Sequence, residues 1–253
     1  MRKREYAEAV AKGIENGKVE VVEKYGKNKR YGIVKTNLDI SPCIYIDEAY
    51  ECGRTVEEVI EMTKEMFDAV EIPTVEGLDD IIDTYESAKE KIRLRLLNKD
   101  FKADVYETAE GYGFPDLIIV PYIDVTEATG QPASVRVTKE LLKRWDVDKM
   151  QVMWDAITMV EAKVTNMYGM TIVSAYGVGE QYGAIGILAA RQQLREMFPE
   201  GYVVIPSSIH EVLVFPRCEE MPIELLKVMV QEVNEGVVAE EDQLSNEVYS
   251  FIA

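Results

Sequence analysis

The last third of the chain constrains the fold most, because short apolar runs of strand character alternate there with amphipathic segments of helical period. Residues 170–174, 182–189, 202–205 and 211–215 read as strands, and residues 191–198 and 223–233 read as helices before an acidic tail. Strand pairs alternating with helices favour an α+β architecture of short antiparallel strand pairs over a doubly wound sheet. The same grammar runs through the earlier part. Residues 18–25 and 31–36 flank a turn-like Gly26-Lys27-Asn28-Lys29-Arg30, which predicts a hairpin. Residues 116–120 and 134–137 follow as strands, a helix opens at Thr138 with Leu141, Leu142 and Trp145 behind it, and residues 150–164 continue as helix. At 253 residues and 47% hydrophobic composition the chain has the material for a sizeable core, which argues against disorder. No linker rich in Pro, Gly or Ser divides it. The expectation is one domain, with at most two lobes meeting near residue 100.

The chain carries 46 acidic against 28 basic residues, a formal charge of −18. Such a balance disfavours broad contact with nucleic acid or an anionic membrane, both of which need clustered Lys and Arg. The charge is concentrated: residues 46–87 hold fourteen acids against Arg54 and Lys64, a net −12. Within this segment Thr55 and Glu58 have capping-box spacing, and Val59, Ile60, Thr63, Met66, Phe67 and Val70 follow at helical spacing. That period sets Glu57, Glu61, Glu65 and Asp68 on the outer face. Such a stripe suits a docking surface for a basic protein partner, a mimic of nucleic-acid phosphates, a divalent-cation site, or an ordinary solvated helix face. After Pro73 and Gly77 the helical period resumes from Leu78 through Leu96. The final KIRLRLLN also alternates apolar and basic residues, the pattern of a strand starting near Ile92. Outside residues 46–87 the chain is only mildly acidic, so net charge does not forbid a basic patch there.

No run of about twenty apolar residues is present, and the basic start MRKREY lacks the apolar stretch of a secretory signal. Cys43, Cys52 and Cys218 have neither disulfide-framework nor zinc-ligand spacing. The reading is a cytoplasmic protein with reduced thiols, no membrane association and no cofactor.

Two local patterns bear on chemistry. Gly177-x-Gly179-x-x-x-Gly183 is one residue longer than a dinucleotide-binding turn and has Tyr182 in place of the third glycine, which fits a glycine-rich loop. The segment Pro206-Ser207-Ser208-Ile209-His210-Glu211 contains the single histidine. A hydrolase would use Ser207 or Ser208 as nucleophile, His210 as base and Glu211 to orient it. In an extended chain Ser208 and His210 share a face but stand about 6.6 Å apart, with Glu211 on the other face. A turn, with the serines bonding backbone, is the competing arrangement.

The segments NLDISPCIYIDEAYECGRTVEEVI, ASVRVTKELLKRWDV, YVVIPSSIHEVLVFP and MVQEVNEGVVAEEDQLSNEVY, in this order, resemble a family of bacterial proteins of unknown function. PSSIHEVLVFP is the most specific of them. The resemblance spans nearly the whole chain and implies a bacterial, cytoplasmic protein, but no activity. The residues then favour a binding or interaction module, with the small hydrolase as the alternative.

Overall fold

A computed structural model describes residues 1–24, 28–36, 43–69, 78–129, 132–167, 169–176, 182–206, 208–218, 222–239 and 242–252. The chain divides into two compact units, Met1–Thr74 and Val75–Ala253. Both are α+β, with antiparallel pairing throughout.

In the smaller unit α1 (Lys3–Lys12) precedes the hairpin β1 (Gly17–Lys24) and β2 (Asn28–Lys35), whose register runs from Gly17 opposite Lys35 to Lys24 opposite Asn28. A two-residue β3 (Ile44–Tyr45) adds to β2, and α2 (Asp47–Glu51) and α3 (Val56–Ala69) complete the unit. Its core joins Tyr6, Ala7 and Val10 of α1 with Ile33, Ile46, Val59 and Phe67. The capping box forms as its spacing predicts: the Thr55 N–H donates to Glu58 Oε2 at 2.9 Å and the Glu58 N–H donates to Thr55 Oγ1 at 3.2 Å. Hydrogen bonding from the Thr55 N–H, and then from the Thr55 hydroxyl, holds the Glu58 carboxyl below the usual carboxylate range. Val59, Thr63 and Phe67 face inward at i, i+4 and i+8. Met66, expected among them, is instead exposed, since it lies on the flank of that stripe. Val70 lies outside the described residues.

The larger unit opens with two short helices, α4 (Leu78–Ile82) and α5 (Tyr85–Ala88), in place of one long one. The chain then turns into β4 (Ile92–Asn98), so the alternation in KIRLRLLN is the signal that prevails. After β5 (Glu107–Thr108) comes β6 (Leu117–Asp124), the centre of a four-stranded sheet that pairs with β4, with β5 and with β7 (Ser134–Arg136), which follows the short α6 (Thr126–Thr129). Every residue of β6 but Asp124 is buried. Proline is rare in a central strand because it has no N–H to donate. Pro121 is accommodated because its carbonyl accepts the Val137 N–H at 3.2 Å, which puts its donorless nitrogen on the same edge, between the residues paired to β5 and those paired to β7.

Helices α7 (Lys139–Trp145) and α8 (Lys149–Thr158) follow. Thr138 caps α7 by accepting the Leu141 N–H at 3.2 Å, and buried Trp145 donates to the Ile82 carbonyl at 2.8 Å. α8 ends six residues before position 164, because residues beyond it form β8 (Ala162–Met167) in a hairpin with β9 (Met170–Ala175). Residues 182–189 are not a strand. They form a 3-10 turn, Gly183–Ile185, and a single helical turn α9 (Gly186–Ala189), buried on nearly all sides. A Cβ on Gly186 would lie 2.0 Å from the Ser174 carbonyl oxygen, so only glycine allows this turn to rest on β9. After α10 (Arg191–Met197), strands β10 (Tyr202–Ile205) and β11 (Val212–Pro216) enter a five-stranded sheet, and α11 (Ile223–Gly236) packs Leu226 and Val230 against Val203. The acidic tail returns as β12 (Tyr249–Phe251), the edge strand beside β10. Ser245 and Tyr249 both donate hydroxyl hydrogen bonds to the Asp116 carboxylate.

Among the described residues no helix is long and apolar enough to cross a membrane. Cys43, Cys52 and Cys218 are free thiols.

Replacing Gly186 by Ala should cost about 1–3 kcal/mol or more by overpacking against backbone. Gly111→Ala, where an added Cβ meets nothing within 4 Å, should change stability by less than about 0.5 kcal/mol in the same denaturant titration. Burial, reinforced by hydrogen bonds to carboxylates, pushes the phenols of Tyr249 and Tyr85 well above their ordinary range. An unfolded tyrosine ionises near pH ~10, so the native state binds more protons above that value and stability falls as pH rises past it. The melting temperature should decline from about pH 10 upward, with a shallower slope in Tyr249→Phe. Asp116→Asn, which weakens two charge-assisted bonds, should destabilise the larger unit by about 2–3 kcal/mol.

Candidate functional site: an arginine between two tyrosines

Strand period sets the site. Ile92, Leu94 and Leu96 of β4 point into the core, and so Arg93 and Arg95 project from the opposite face. Register places Arg93 opposite Tyr122 on β6, and Asp124 of β6 opposite Ser134 on β7. The Arg95 side chain crosses β6 diagonally. Its guanidinium carbon lies 3.9 Å from the Tyr122 ring centroid and 3.5 Å from that of Tyr182, and its Nη2 donates to Ser134 Oγ at 2.8 Å. Held between two rings, the guanidinium presents its edge, and four of its five N–H groups have no protein acceptor among the described residues. Arg93 is tethered by Nη1 to the carbonyls of Glu90 at 2.7 Å and Ile92 at 3.0 Å. Both arginines are half-buried. They line a cleft of about 170 Å³ with Tyr122, Asp124, Ser134 and Tyr182. Among the described residues neither forms an ion pair with a carboxylate.

Tyr182 reaches this position at a backbone cost. Its φ of 60° and ψ of 24° put a bulky side chain in the left-handed region, where sterics leave little room for anything but glycine. The single histidine holds it there: the Tyr182 N–H donates to His210 Nδ1 at 3.2 Å. Since Nδ1 accepts, the neutral ring carries its hydrogen on Nε2, which lies 3.3 Å from Asp242 Oδ1. Backbone bonds knit the same segments together, with the Ala184 N–H on the Ile209 carbonyl at 3.1 Å and the Ile209 N–H on the Asp242 carbonyl at 2.8 Å. Gly183 has no room for a side chain, because a Cβ would stand 2.4 Å from the His210 carbonyl oxygen.

The structure puts the serine–histidine segment to this use. Ser208 Oγ accepts the backbone N–H of His210 at 3.1 Å, and the Ser208 N–H donates to the Glu211 carbonyl at 3.3 Å, a serine turn. Both imidazole nitrogens face partners other than Ser208, and nothing in this arrangement favours a hydrolase. Ser207 lies outside the described residues, as do Gly177 and Gly179 of the glycine pattern. Glu57, Glu61, Glu65 and Asp68 are all exposed on α3, with Lys64 bound to Glu61 at 3.1 Å. Among the described residues no three His, Cys, Asp or Glu side chains converge to hold a metal ion. Neither Arg93 nor Arg95 was among the expected site residues; the alternation in KIRLRLLN is the signal that could have found them. The other half of the cleft comes from β6 and the turn at Tyr182, which no local pattern ties to Arg95.

Comparison with the curated proteins and with solved structures finds no match in either. Residues 4–174 and 165–252 match a family of unknown function, DUF5688. The chain, matched over nearly its whole length, belongs to that family.

Proposed function

We propose that the protein is a binding module whose larger unit recognises a small anion in the Arg93–Arg95 cleft. One observation carries the reading: in a chain of net charge −18, two adjacent half-buried arginines line one cleft without an ion pair among the described residues, and one of them is fixed between aromatic rings. A guanidinium fork presented edge-on matches the paired oxygens of a carboxylate or phosphate. The volume of about 170 Å³ is close to that of a cavity that takes benzene, about 150 Å³, so the occupant has a handful of heavy atoms. Three free thiols fit a cytoplasmic setting.

Isothermal titration at low salt with inorganic phosphate, sulfate, acetate and succinate tests this. At least one should bind with a Kd of about 1 mM or tighter, near −4 kcal/mol. Arg95→Ala should weaken it by about tenfold or more, since bonds to a charged donor contribute about 1.5–3 kcal/mol. Arg95→Lys should restore only part, because a point charge cannot grip two oxygens in a plane. Binding by none of the four, or unchanged binding by Arg95→Ala, would end the proposal.

A second reading concerns the smaller unit. Glu57, Glu61, Glu65 and Asp68 are exposed along the side of α3 opposite Val59, Thr63 and Phe67, a surface that suits a basic protein partner. A fluorescent oligolysine peptide should bind at low salt and dissociate as salt screens the charges. Neutralising Glu57, Glu61 and Glu65 to Gln should weaken that binding several-fold; identical isotherms would remove this role.

A further inference from the structure

We infer that His210 is a positioning residue for the anion cleft, acting through Tyr182. The inference rests on the anion-binding reading above and adds to it what holds the site ready before the ligand arrives.

Among the described residues Tyr182 is the one aromatic side chain lining the cleft whose backbone lies in the left-handed region. Such strain persists only where neighbours over-determine the conformation, and it collects at ligand clamps. Here the neighbours are identifiable. His210 Nδ1 accepts the Tyr182 N–H, Asp242 faces Nε2 and fixes which nitrogen accepts, and the Ile209 carbonyl takes the Ala184 N–H two residues on. From the same residue the Tyr182 ring closes one face of Arg95, while Tyr122 closes the other. The path is therefore Asp242 to His210 to the Tyr182 backbone to the Arg95 guanidinium, each step a direct contact. Without His210 the Tyr182 N–H loses its acceptor and the left-handed conformation loses its main restraint. The ring is then released from Arg95, whose long side chain regains its rotamers, and the fork must be ordered again each time an anion binds. The serine turn serves the same end, because the Ser208 hydroxyl fixes the backbone N–H of His210.

The test is titration of the tightest-binding of phosphate, sulfate, acetate and succinate into the full chain and its variants, well below their melting temperatures. His210→Ala should raise the Kd about tenfold. His210→Asn, whose amide oxygen can accept the Tyr182 N–H, should restore it to within about threefold. Tyr182→Leu keeps the backbone bond to His210 and removes the ring, and should lose as much affinity as His210→Ala. Asp116→Asn, destabilising elsewhere in the same unit, should lower the melting temperature and leave the Kd unchanged. Wild-type affinity in His210→Ala or in Tyr182→Leu, alongside lost binding in Arg95→Ala, overturns the positioning role and leaves the cleft standing. Equal weakening in Asp116→Asn and His210→Ala overturns it as well, by reducing it to stability. Wild-type affinity in Arg95→Ala, or no binding of any probe by the wild type, removes the cleft and the positioning role together.

Discussion

The larger unit depends on the burial of one strand. β6 is covered on both faces and flanked on both edges, so its backbone groups must be satisfied by neighbours rather than by water. That requirement recruits β4 along one edge and the two short strands β5 and β7 along the other, with the gap between them falling where Pro121 has nothing to donate. Once β4 is registered on β6, the period of two decides which of its side chains enter the core and which remain outside. Burial of Ile92, Leu94 and Leu96 is thus the same event as the projection of Arg93 and Arg95 beside Tyr122. The cleft costs no extra architecture.

What does cost free energy is the wall supplied by Tyr182. A bulky residue in the left-handed region is unfavourable by about 1–3 kcal/mol, and a guanidinium stacked on aromatic rings returns about 0.5–2 kcal/mol. The two are comparable, so the ring contact alone does not secure the conformation. Hydrogen bonds from the 208–211 turn and from Asp242 make up the difference, which gives Ser208 and His210 a structural task.

Elements governed by local chemistry were legible in the sequence. The β1–β2 hairpin, the Thr55–Glu58 capping box, the Thr138 cap, the strands β10 and β11 and the helix α11 all rest on turn residues, caps or a clear period. Elements decided by tertiary surroundings were not. YGAIGILA is apolar throughout and too short for period to arbitrate, so it passes for a strand, and only its contact with the backbone of β9 through Gly186 makes it helical. Residues after Thr158 lacked a helix stop and read as more helix, yet pairing with β9 claims them as β8. The alternation of Arg93 and Arg95 with apolar residues was visible as a strand pattern, but it competed with a helical period running through Leu96. That Tyr182 would cover Arg95, and that Asp242 would brace His210, depends on segments far apart in sequence, and no spacing rule connects them.

The placement of β12 bears on how the protein is made. β10 lacks its outer neighbour, and Asp116 its two hydroxyl donors, until residues 245–251 have been synthesised and have left the ribosome. The internal contacts of the smaller unit lie within residues 1–74 and can form long before that. Folding during translation is therefore staggered: one unit closes early, while the other waits as an incomplete sheet with an open edge on β10. Through that interval the nascent larger unit is the part of this protein most exposed to unwanted strand pairing.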